Sequence, residues 1–282
     1  LGRGMNGAIA FTAGIALASS THFGCASPGK RTTQGTTPPA EPSPPPYPAT
    51  QTAYSGLRIA YIGLGGIGGH HLEETVKFGV QCPCFCDVDT THMSRYAAAY
   101  PAARPYQDYR VMLDKEHKNI DAVMVAIPDH NHYPATIRAM RLGKHVYTQK
   151  PLTHTVWEAR QLAAAAQELK LATQMGIQGH AGEGIRLVYE WVRSGALGDI
   201  LEVHTWTDRP IWPQGIGRPE DEDAIPAGLA WDVWLGPAPL RPFKDKVYHP
   251  FNWRGWWDFG CGALGDMACH TMDCMFWALD PG

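Results

Sequence analysis

Three side chains in this sequence have the types and spacing to move a proton. Asp266 and His270 are four residues apart, so on a helix they would share one face. A neutral imidazole can accept a hydroxyl proton near neutral pH, and a carboxylate beside it can orient the ring. Lys150 follows the strand pattern at 145–148 and precedes a proline, which holds its backbone extended. Lys150, Asp266 and His270 are therefore candidate catalytic residues, although a solvated lysine is the alternative for Lys150 and spacing alone is more typical of a structural contact between Asp266 and His270.

A glycine-rich turn has the pattern that holds phosphate groups. Residues 63–68 read Gly-Leu-Gly-Gly-Ile-Gly, a complete G-x-G-x-x-G, between a strand pattern at 57–62 and a helical pattern at 70–77. That β-α-β context makes the motif specific for dinucleotides. The glycines allow a tight turn, a close backbone approach to pyrophosphate and close helix packing, and the helix N-terminus offers free N–H groups. The expected cofactor-binding residues of this turn are Gly63, Gly65, Gly66, Ile67 and Gly68.

An acidic residue follows the second strand pattern and bears on the choice of cofactor. Asp87 lies 19 residues after Gly68. A carboxylate there accepts hydrogen bonds from a ribose 2′-hydroxyl and repels a 2′-phosphate. The sequence thus favours NAD over NADP, although Arg95 offers a positive charge that would suit the phosphate of NADP.

The elements that must position these groups alternate between strands and helices. Residues 120–127 form a nearly continuous apolar strand, and strand patterns at 145–148 and 171–175 alternate with helical ones. We predict an α/β fold with a doubly wound parallel Rossmann sheet in residues 56–176. Ligands of such sheets bind at the carboxyl ends of the strands, so Pro128, His132 and Lys150 are expected to contact the cofactor.

Residues 177–282 read as a separate substrate domain. Helical patterns at 184–193 and 262–279 flank a strand pattern at 200–206 and an irregular Pro- and Trp-rich stretch at 209–250. We interpret that stretch as a lid or substrate wall, with a surface insertion as the alternative. Eight of the ten tryptophans lie from residue 206 onward. Most should be core, and an exposed ring among Trp253, Trp256 and Trp257 is expected to stack on a sugar.

The first 55 residues read as export and linker segments. Residues 8–18 are almost entirely apolar, are too few to span a bilayer, and follow Arg3, which fits a signal peptide over residues 1–26. A disordered Ala- and Gly-rich leader is the alternative. Residues 27–55 are rich in Pro, Thr and Ser, typical of a linker. We expect an exported, periplasmic bacterial protein without a membrane span; the twin-arginine route is one candidate route and Cys25 is a candidate lipid anchor.

Charge and cysteine content argue against a nucleic-acid-binding protein, a disulfide-rich protein and a metal-binding protein. A net charge of −3 lacks the basic footprint of a nucleic-acid-binding protein. Among seven cysteines, Cys82, Cys84 and Cys86 alternate along one strand, so their side chains should share a face and cannot easily bridge. No Cys-x-x-Cys or Cys/His quartet accompanies them, so we predict small buried hydrophobes, no disulfide framework and no metal site.

The sequence resembles the glucose–fructose oxidoreductase / inositol dehydrogenase (Gfo/Idh/MocA) family over about residues 57–282. The motifs that carry this resemblance lie at residues 63–68, 128–132, 149–151 and 260–270. Residues 178–184 and 206–213 resemble a branch of secreted bacterial members. The resemblance implies that Lys150 contacts substrate and nicotinamide, and that His270 is catalytic with Asp266 as its acidic neighbour. Gln149 replaces the glutamate of the family's Glu-Lys-Pro triplet and brings no charge.

The resemblance also implies a larger second domain, an open sheet often used for dimerisation. One strand cannot form a stable sheet. We therefore expect an α+β substrate domain that is incomplete at its C-terminus here, and a homo-oligomer at full length.

The residue types and the resemblance leave three functions open. The first is an NAD-dependent oxidoreductase that transfers hydride between nicotinamide and a sugar or polyol carbon, with Lys150 bonding the reacting hydroxyl and His270 taking its proton. The second is an NAD-dependent glycosidase or lyase that oxidises a sugar carbon transiently, eliminates a neighbouring bond and reduces the carbon again. The third is a non-catalytic NAD-dependent binding protein, against which the presence of all three catalytic candidates argues.

Overall fold

The computed structural model describes residues 54–280. Within it, six parallel strands form one sheet in residues 54–176. The predicted signal segment and nearly all of the predicted linker lie outside the described residues. The strands are β1 (Ile59–Ile62), β2 (Cys84–Cys86), β3 (Arg104–Tyr106), β4 (Ala122–Val125), β5 (His145–Gln149) and β6 (Thr173–Gly176). The connecting helices are α1 (Ile67–Lys77), α2 (Thr90–Ala99), α3 (Tyr109–Glu116), α4 (His132–Arg141) and α5 (Val156–Leu169). The predicted doubly wound Rossmann sheet is confirmed.

The strand order is β3-β2-β1-β4-β5-β6. Strands β1 to β3 therefore extend the sheet in one direction and β4 to β6 in the other, and the switch point lies between the neighbouring strands β1 and β4. Ile62 at the end of β1 pairs with Cys86 on one side and with Val125 on the other. Ligands of doubly wound sheets bind in the crevice that such a switch point opens at the carboxyl ends of the strands. Cofactor and substrate groups should therefore gather after β1, β2, β4 and β5.

Alternate residues of the strands face two separate apolar clusters, as expected for a sheet covered by helices on both faces. In β1, Ala60 and Ile62 lie in one cluster and Tyr61 in the other. Cys84 and Cys86 share a face as predicted, and burial raises the pKa of Cys84 to about 12. Cys82 packs against the opposite cluster, so its predicted alternation is wrong. It lies before β2, where no ladder imposes the period of two.

The sequence pattern does not predict strand β3. It has three residues, includes Pro105, and pairs only with β2 at the edge of the sheet. Proline cannot donate to a ladder and is tolerated at an edge. Tertiary pairing, rather than local propensity, makes this strand.

Beyond β6 the described chain is helical or irregular. Its α-helices are α6 (Glu183–Arg193), α7 (Trp231–Leu235), α8 (Gly262–Thr271) and α9 (Asp273–Leu279). The predicted strand at 200–206 is wrong: those residues are irregular, because no neighbouring segment within residues 54–280 offers them a ladder. The predicted single helix at 262–279 is two helices, divided at Met272.

The irregular Trp-rich stretch packs on the Rossmann unit through an aromatic cluster. Trp231, Trp234, Tyr248 and Phe259 are buried in it. The stretch is anchored by backbone hydrogen bonds of 2.9 Å, Thr90 N to Gly228 O and Ala230 N to Val88 O. It therefore walls the side of the crevice near β2. No helix in the described range is both long and apolar enough to cross a membrane.

Candidate functional site

A cleft of about 400 Å³ lies at the carboxyl ends of β1, β2, β4 and β5. It collects most of the residues that the sequence singled out for chemistry or cofactor binding. Those lining it are Gly63, Gly65, Gly66, Ile67, Asp87, Pro128, Lys150 and Asp266. Three predicted residues, Gly68, His132 and His270, do not line it.

The glycine turn forms the floor of the cleft and fits a pyrophosphate. Gly63 has a φ of +89°, and a Cβ there would meet the backbone oxygen of Ala126, the residue that follows β4. The N–H groups of Gly65 and Gly66 have no acceptor among the described residues, so they are free to donate to phosphate oxygens. Gly68 acts differently, because a Cβ on it would collide with the Gly63 carbonyl. It lets α1 pack against the turn and does not line the cleft.

Asp87 is held at the end of β2 by the turn itself. Its carboxylate accepts hydrogen bonds from Leu64 N at 2.7 Å and Asp89 N at 2.9 Å, and His92 Nδ1 lies 3.4 Å away. The carboxylate is buried yet borders the cleft. This is where an adenosine ribose lies in Rossmann folds, and a fixed anion there suits a 2′-hydroxyl. The open N–H groups and this anion together fit NAD.

The loop after β4 is organised by two buried histidines. His132 Nδ1 lies 2.7 Å from Pro151 O and its Nε2 lies 2.7 Å from Ile127 O, so the ring ties the loops after β4 and β5 together. Both ring nitrogens thus face carbonyl oxygens, and His132 does not line the cleft. His130 lies between the carbonyls of Phe259 and Trp234, and burial lowers its pKa to about 4. Both rings position the loop and leave Pro128 at the cleft.

Lys150 and Asp266 form an ion pair at the opposite side of the cleft from Asp87. Lys150 Nζ donates to Asp266 Oδ1 and to the Asp266 carbonyl, both at 2.8 Å, and the two side chains are only 15% and 13% exposed. Arg254 Nε lies 3.4 Å from the same Oδ1, and burial lowers the pKa of Arg254. Asp129, whose pKa is raised by burial, also borders this end. Two cations and two acids therefore converge where β4 and β5 end.

Asp266 bonds Lys150, and the structure shows no hydrogen bond between the Asp266 and His270 side chains. His270 lies one turn further along α8 and is partly buried. Burial lowers the pKa of His270, and the nearby Lys150 charge lowers it further. The ring is thus neutral at neutral pH, which is the form that accepts a proton.

Gln149 has a partner that the sequence did not reveal. Its Nε2 lies 2.6 Å from Nε2 of His71 on α1, and burial lowers the pKa of His71 to about 4. A neutral ring nitrogen can accept from the amide. No local pattern linked these two residues, which are 78 positions apart.

The tryptophans divide differently from the prediction. Trp253 lines the cleft but is buried, with the Arg254 guanidinium 4.2 Å from its ring centroid. Trp257 is 90% exposed and does not line the cleft. Trp256 is buried in the aromatic cluster. The expectation that an exposed ring of this trio stacks on a sugar is therefore not supported by where the rings lie.

Family models match both parts of the chain. Residues 57–177 match the model described as oxidoreductase family, NAD-binding Rossmann fold, and residues 185–281 match the family's C-terminal alpha/beta domain. The chain belongs to the Gfo/Idh/MocA family. The glycine turn of this Gfo/Idh/MocA protein is thus part of an NAD-binding Rossmann domain, and NAD is its cofactor.

Curated relatives of this Gfo/Idh/MocA protein include glycosidases. It is 30% identical over 155 residues to an alpha-N-acetylgalactosaminidase of Shewanella oneidensis, covering 51% of this chain and 33% of that protein. It is 29% identical over the same length to a glycosyl hydrolase family 109 protein of Shewanella sp. strain ANA-3, with the same coverage. The chain spans about a third of the length of these relatives.

A solved structure shares the fold over most of the chain. The WlbA dehydrogenase from Bordetella pertussis, crystallised with NADH and UDP-GlcNAcA, superposes with a TM-score of 0.57 at 21% identity. The match covers 80% of this chain and 60% of that one. At this identity the likeness concerns the fold.

Proposed function

We propose that this Gfo/Idh/MocA protein is an NAD-dependent oxidoreductase acting on a hydroxyl-bearing carbon of a sugar or polyol. The observation that carries the proposal is the Lys150–Asp266 ion pair at the end of β5, inside the cleft whose other side holds the glycine turn and Asp87. In the strand order, β2 and β5 are three neighbours apart, which is about 14 Å at ordinary strand spacing. That separation suits a cofactor bound with its adenosine ribose at Asp87 and its reactive end at Lys150.

Lys150 is the group that meets the reacting hydroxyl in this proposal. Its ammonium has three donors, of which two are used on Asp266, so one remains for a substrate oxygen. Asp266 fixes the direction of the ammonium rather than orienting His270. A fixed cation beside the hydroxyl oxygen stabilises negative charge that develops as the proton leaves.

His270 is the proposed proton acceptor. Its lowered pKa keeps it neutral at neutral pH, and it lies on the same helix as Asp266, one turn away. It does not line the cleft, and Lys150 and Asp266 are cleft residues whose charges act on its pKa. Bound NAD supplies the hydride acceptor or donor. We further propose that Asp87 selects NAD over NADP by repelling a 2′-phosphate.

The second candidate is a glycosidase or lyase without net redox, and the similarity to glycosidases over 155 residues favours it. Oxidation of one sugar carbon acidifies its neighbour, the glycosidic oxygen leaves by elimination, water adds and the carbon is reduced again. The same Lys150 and His270 would serve, because both routes begin by removing a hydroxyl proton.

One assay separates the two candidates. The full chain is supplied with NAD and a panel of free sugars, uronates, cyclitols and nitrophenyl glycosides, and reduced nicotinamide and released nitrophenol are read together. Accumulation of reduced nicotinamide supports the dehydrogenase, while released nitrophenol without net reduction supports the glycosidase. Lys150→Met should abolish either signal and the exposed Trp257→Ala should leave it unchanged. No turnover of any compound with either NAD or NADP would refute both candidates.

We also propose export to the periplasm and self-association at full length, from the apolar stretch at 8–18 and the family resemblance. Fractionation of a bacterium that expresses the natural gene, with size measurement of the recovered protein, tests both. Uncleaved protein retained in the cytoplasm would refute the proposed export.

A further inference from the structure

A cluster of three ligand-type side chains lies at the β2 side of the cleft, away from Lys150. Asp89 precedes α2, His92 lies in its first turn, and His249 belongs to the Trp-rich stretch. One possible ligand atom from each residue lies within 4.8 Å of the others. His249 Nε2 and Asp89 Oδ2 are 3.0 Å apart. The imidazole rings of His92 and His249 have centroids 5.8 Å apart. The three groups therefore converge on one point from two separate parts of the chain.

We propose that Asp89, His92 and His249 bind a zinc ion or a similar late first-row divalent cation. Two imidazoles and one carboxylate are a usual donor set for zinc, whose bonds to nitrogen and oxygen are about 2.0–2.2 Å. Donors around such an ion are a little over 3 Å apart, so the spacing here needs only small side-chain adjustments. Calcium and magnesium prefer all-oxygen sites, which this cluster does not offer.

The atoms needed for coordination face one another. Asp89 Oδ1 caps α2 by accepting from Thr91 N at 2.9 Å and Thr91 Oγ1 at 2.7 Å, so a cation would bind Oδ2 in place of the hydrogen bond between Oδ2 and His249 Nε2. His92 Nδ1 faces Asp87 Oδ2 at 3.4 Å, and a neutral ring that carries its proton on Nδ1 has a lone pair on Nε2. A carboxylate behind a ligating histidine orients the ring and strengthens it as a donor. Asp87 thus supports His92 in the way that metal sites commonly require.

The cluster is partly shielded from solvent. The side chains of Asp89 and His249 are 15% and 13% exposed, and His92 is 30% exposed. Three protein donors leave a fourth position open to water or another ligand, an arrangement that differs from the four protein ligands of structural zinc sites. The ion would join the start of α2 to residues 249–251, which line the cleft. It would hold the Trp-rich stretch against the part of the cleft where Asp87 lies.

A cation bound here would contradict the sequence-based expectation of no metal site. That expectation rested on the absence of cysteine and histidine spacings typical of zinc. Asp89 and His249 are 160 positions apart, and no sequence spacing could have linked them.

The test uses full-length protein stripped with a chelator and dialysed, without NAD. Zn²⁺ binding is measured by calorimetry and Co²⁺ binding by its visible absorption, which reports a tetrahedral site. We expect one ion per chain. His249→Ala and Asp89→Asn should each weaken binding at least about 100-fold, since loss of a supporting partner alone costs roughly 10–100-fold. Asn still caps a helix, so Asp89→Asn should leave the fold intact.

The matched control is His180→Ala. His180 also bonds an aspartate, Asp273 at 2.8 Å, but no second histidine was found close enough to complete a site among residues 54–280. This variant should bind Zn²⁺ and Co²⁺ as the natural protein does, and Zn²⁺ should raise the melting temperature of both. The proposal is overturned if the natural protein binds neither ion. It is equally overturned if His249→Ala or Asp89→Asn binds as tightly as the natural protein, which would make the cluster a hydrogen-bonded contact only.

Discussion

The Asp266 carboxylate lies between two cations in the cleft, and this arrangement predicts unequal costs for removing the members of the group. Lys150 Nζ is 2.8 Å and Arg254 Nε is 3.4 Å from the same Oδ1, so the two cations are within about 6 Å of each other. In Asp266→Asn both cations lose the anion that compensates their burial, and their mutual repulsion of about 2–3 kcal/mol, at an effective dielectric constant near 20, is no longer offset. Removal of one partner of a buried ion pair costs roughly 3–5 kcal/mol. We expect a loss of about 3 kcal/mol in the free energy of unfolding, at the low end of that range, because Lys150 keeps its bond to the Asp266 carbonyl.

Lys150→Met should cost much less, about 1 kcal/mol. The Asp266 carboxylate then keeps Arg254 as its partner, so no buried charge is left alone. The assay is urea unfolding at neutral pH without cofactor, with Asp114→Asn as the control. Asp114 pairs with Arg138 at an exposed site, where such pairs contribute at most about 1 kcal/mol. Equal losses for Lys150→Met and Asp266→Asn, or a larger loss for the lysine variant, would refute the reasoning.

Three further predictions concern chemistry, cofactor choice and pH. His270→Ala should lower kcat by roughly 10²–10⁴-fold with little change in KM, since a base acts in the transition state; normal turnover by the folded variant would exclude His270 as the base. Asp87→Ala should weaken NAD binding and relax discrimination against NADP in calorimetry, and equal affinity for both cofactors in the natural protein would contradict the role of Asp87. Because His130 and His71 have pKa values lowered to about 4, the unfolded chain binds more protons than the folded one between about pH 6.5 and 4, so stability should fall on acidification across that range. His71→Gln should flatten part of that slope, and an unchanged slope would show that His71 does not contribute to it.

The nucleotide-binding unit could be predicted from local sequence because each of its features is local. A strand, a glycine turn and a helix occupy consecutive residues, and both the positive φ of Gly63 and the close contact of Gly68 with the Gly63 carbonyl require a residue without a Cβ. The parallel sheet follows because the central strands β1 and β4 are apolar on both faces and the strands alternate with helices. Lys150 could be located because it ends one of these strands.

Side-chain partners could not be predicted in the same way, because they depend on which charges the fold brings close. The four-residue spacing of Asp266 and His270 places them on one helical face, but Lys150, 116 positions from Asp266, offers the carboxylate a full positive charge that a neutral imidazole lacks. The strand predicted at 200–206 failed for a related reason. A strand is stable only with a hydrogen-bonded neighbour, and the pattern of one segment does not show whether that neighbour is there.

Local pattern therefore determined the cofactor fold and the positions of the candidate groups along it, because glycine turns, strand alternation and strand ends are set by neighbouring residues. Tertiary structure decided which of those groups meet. It paired Asp266 with Lys150, turned His132 towards two carbonyls, and brought His249 to Asp89 and His92. Hydrogen bonds and ion pairs depend on distances of about 3 Å in space, and distance along the chain does not determine them.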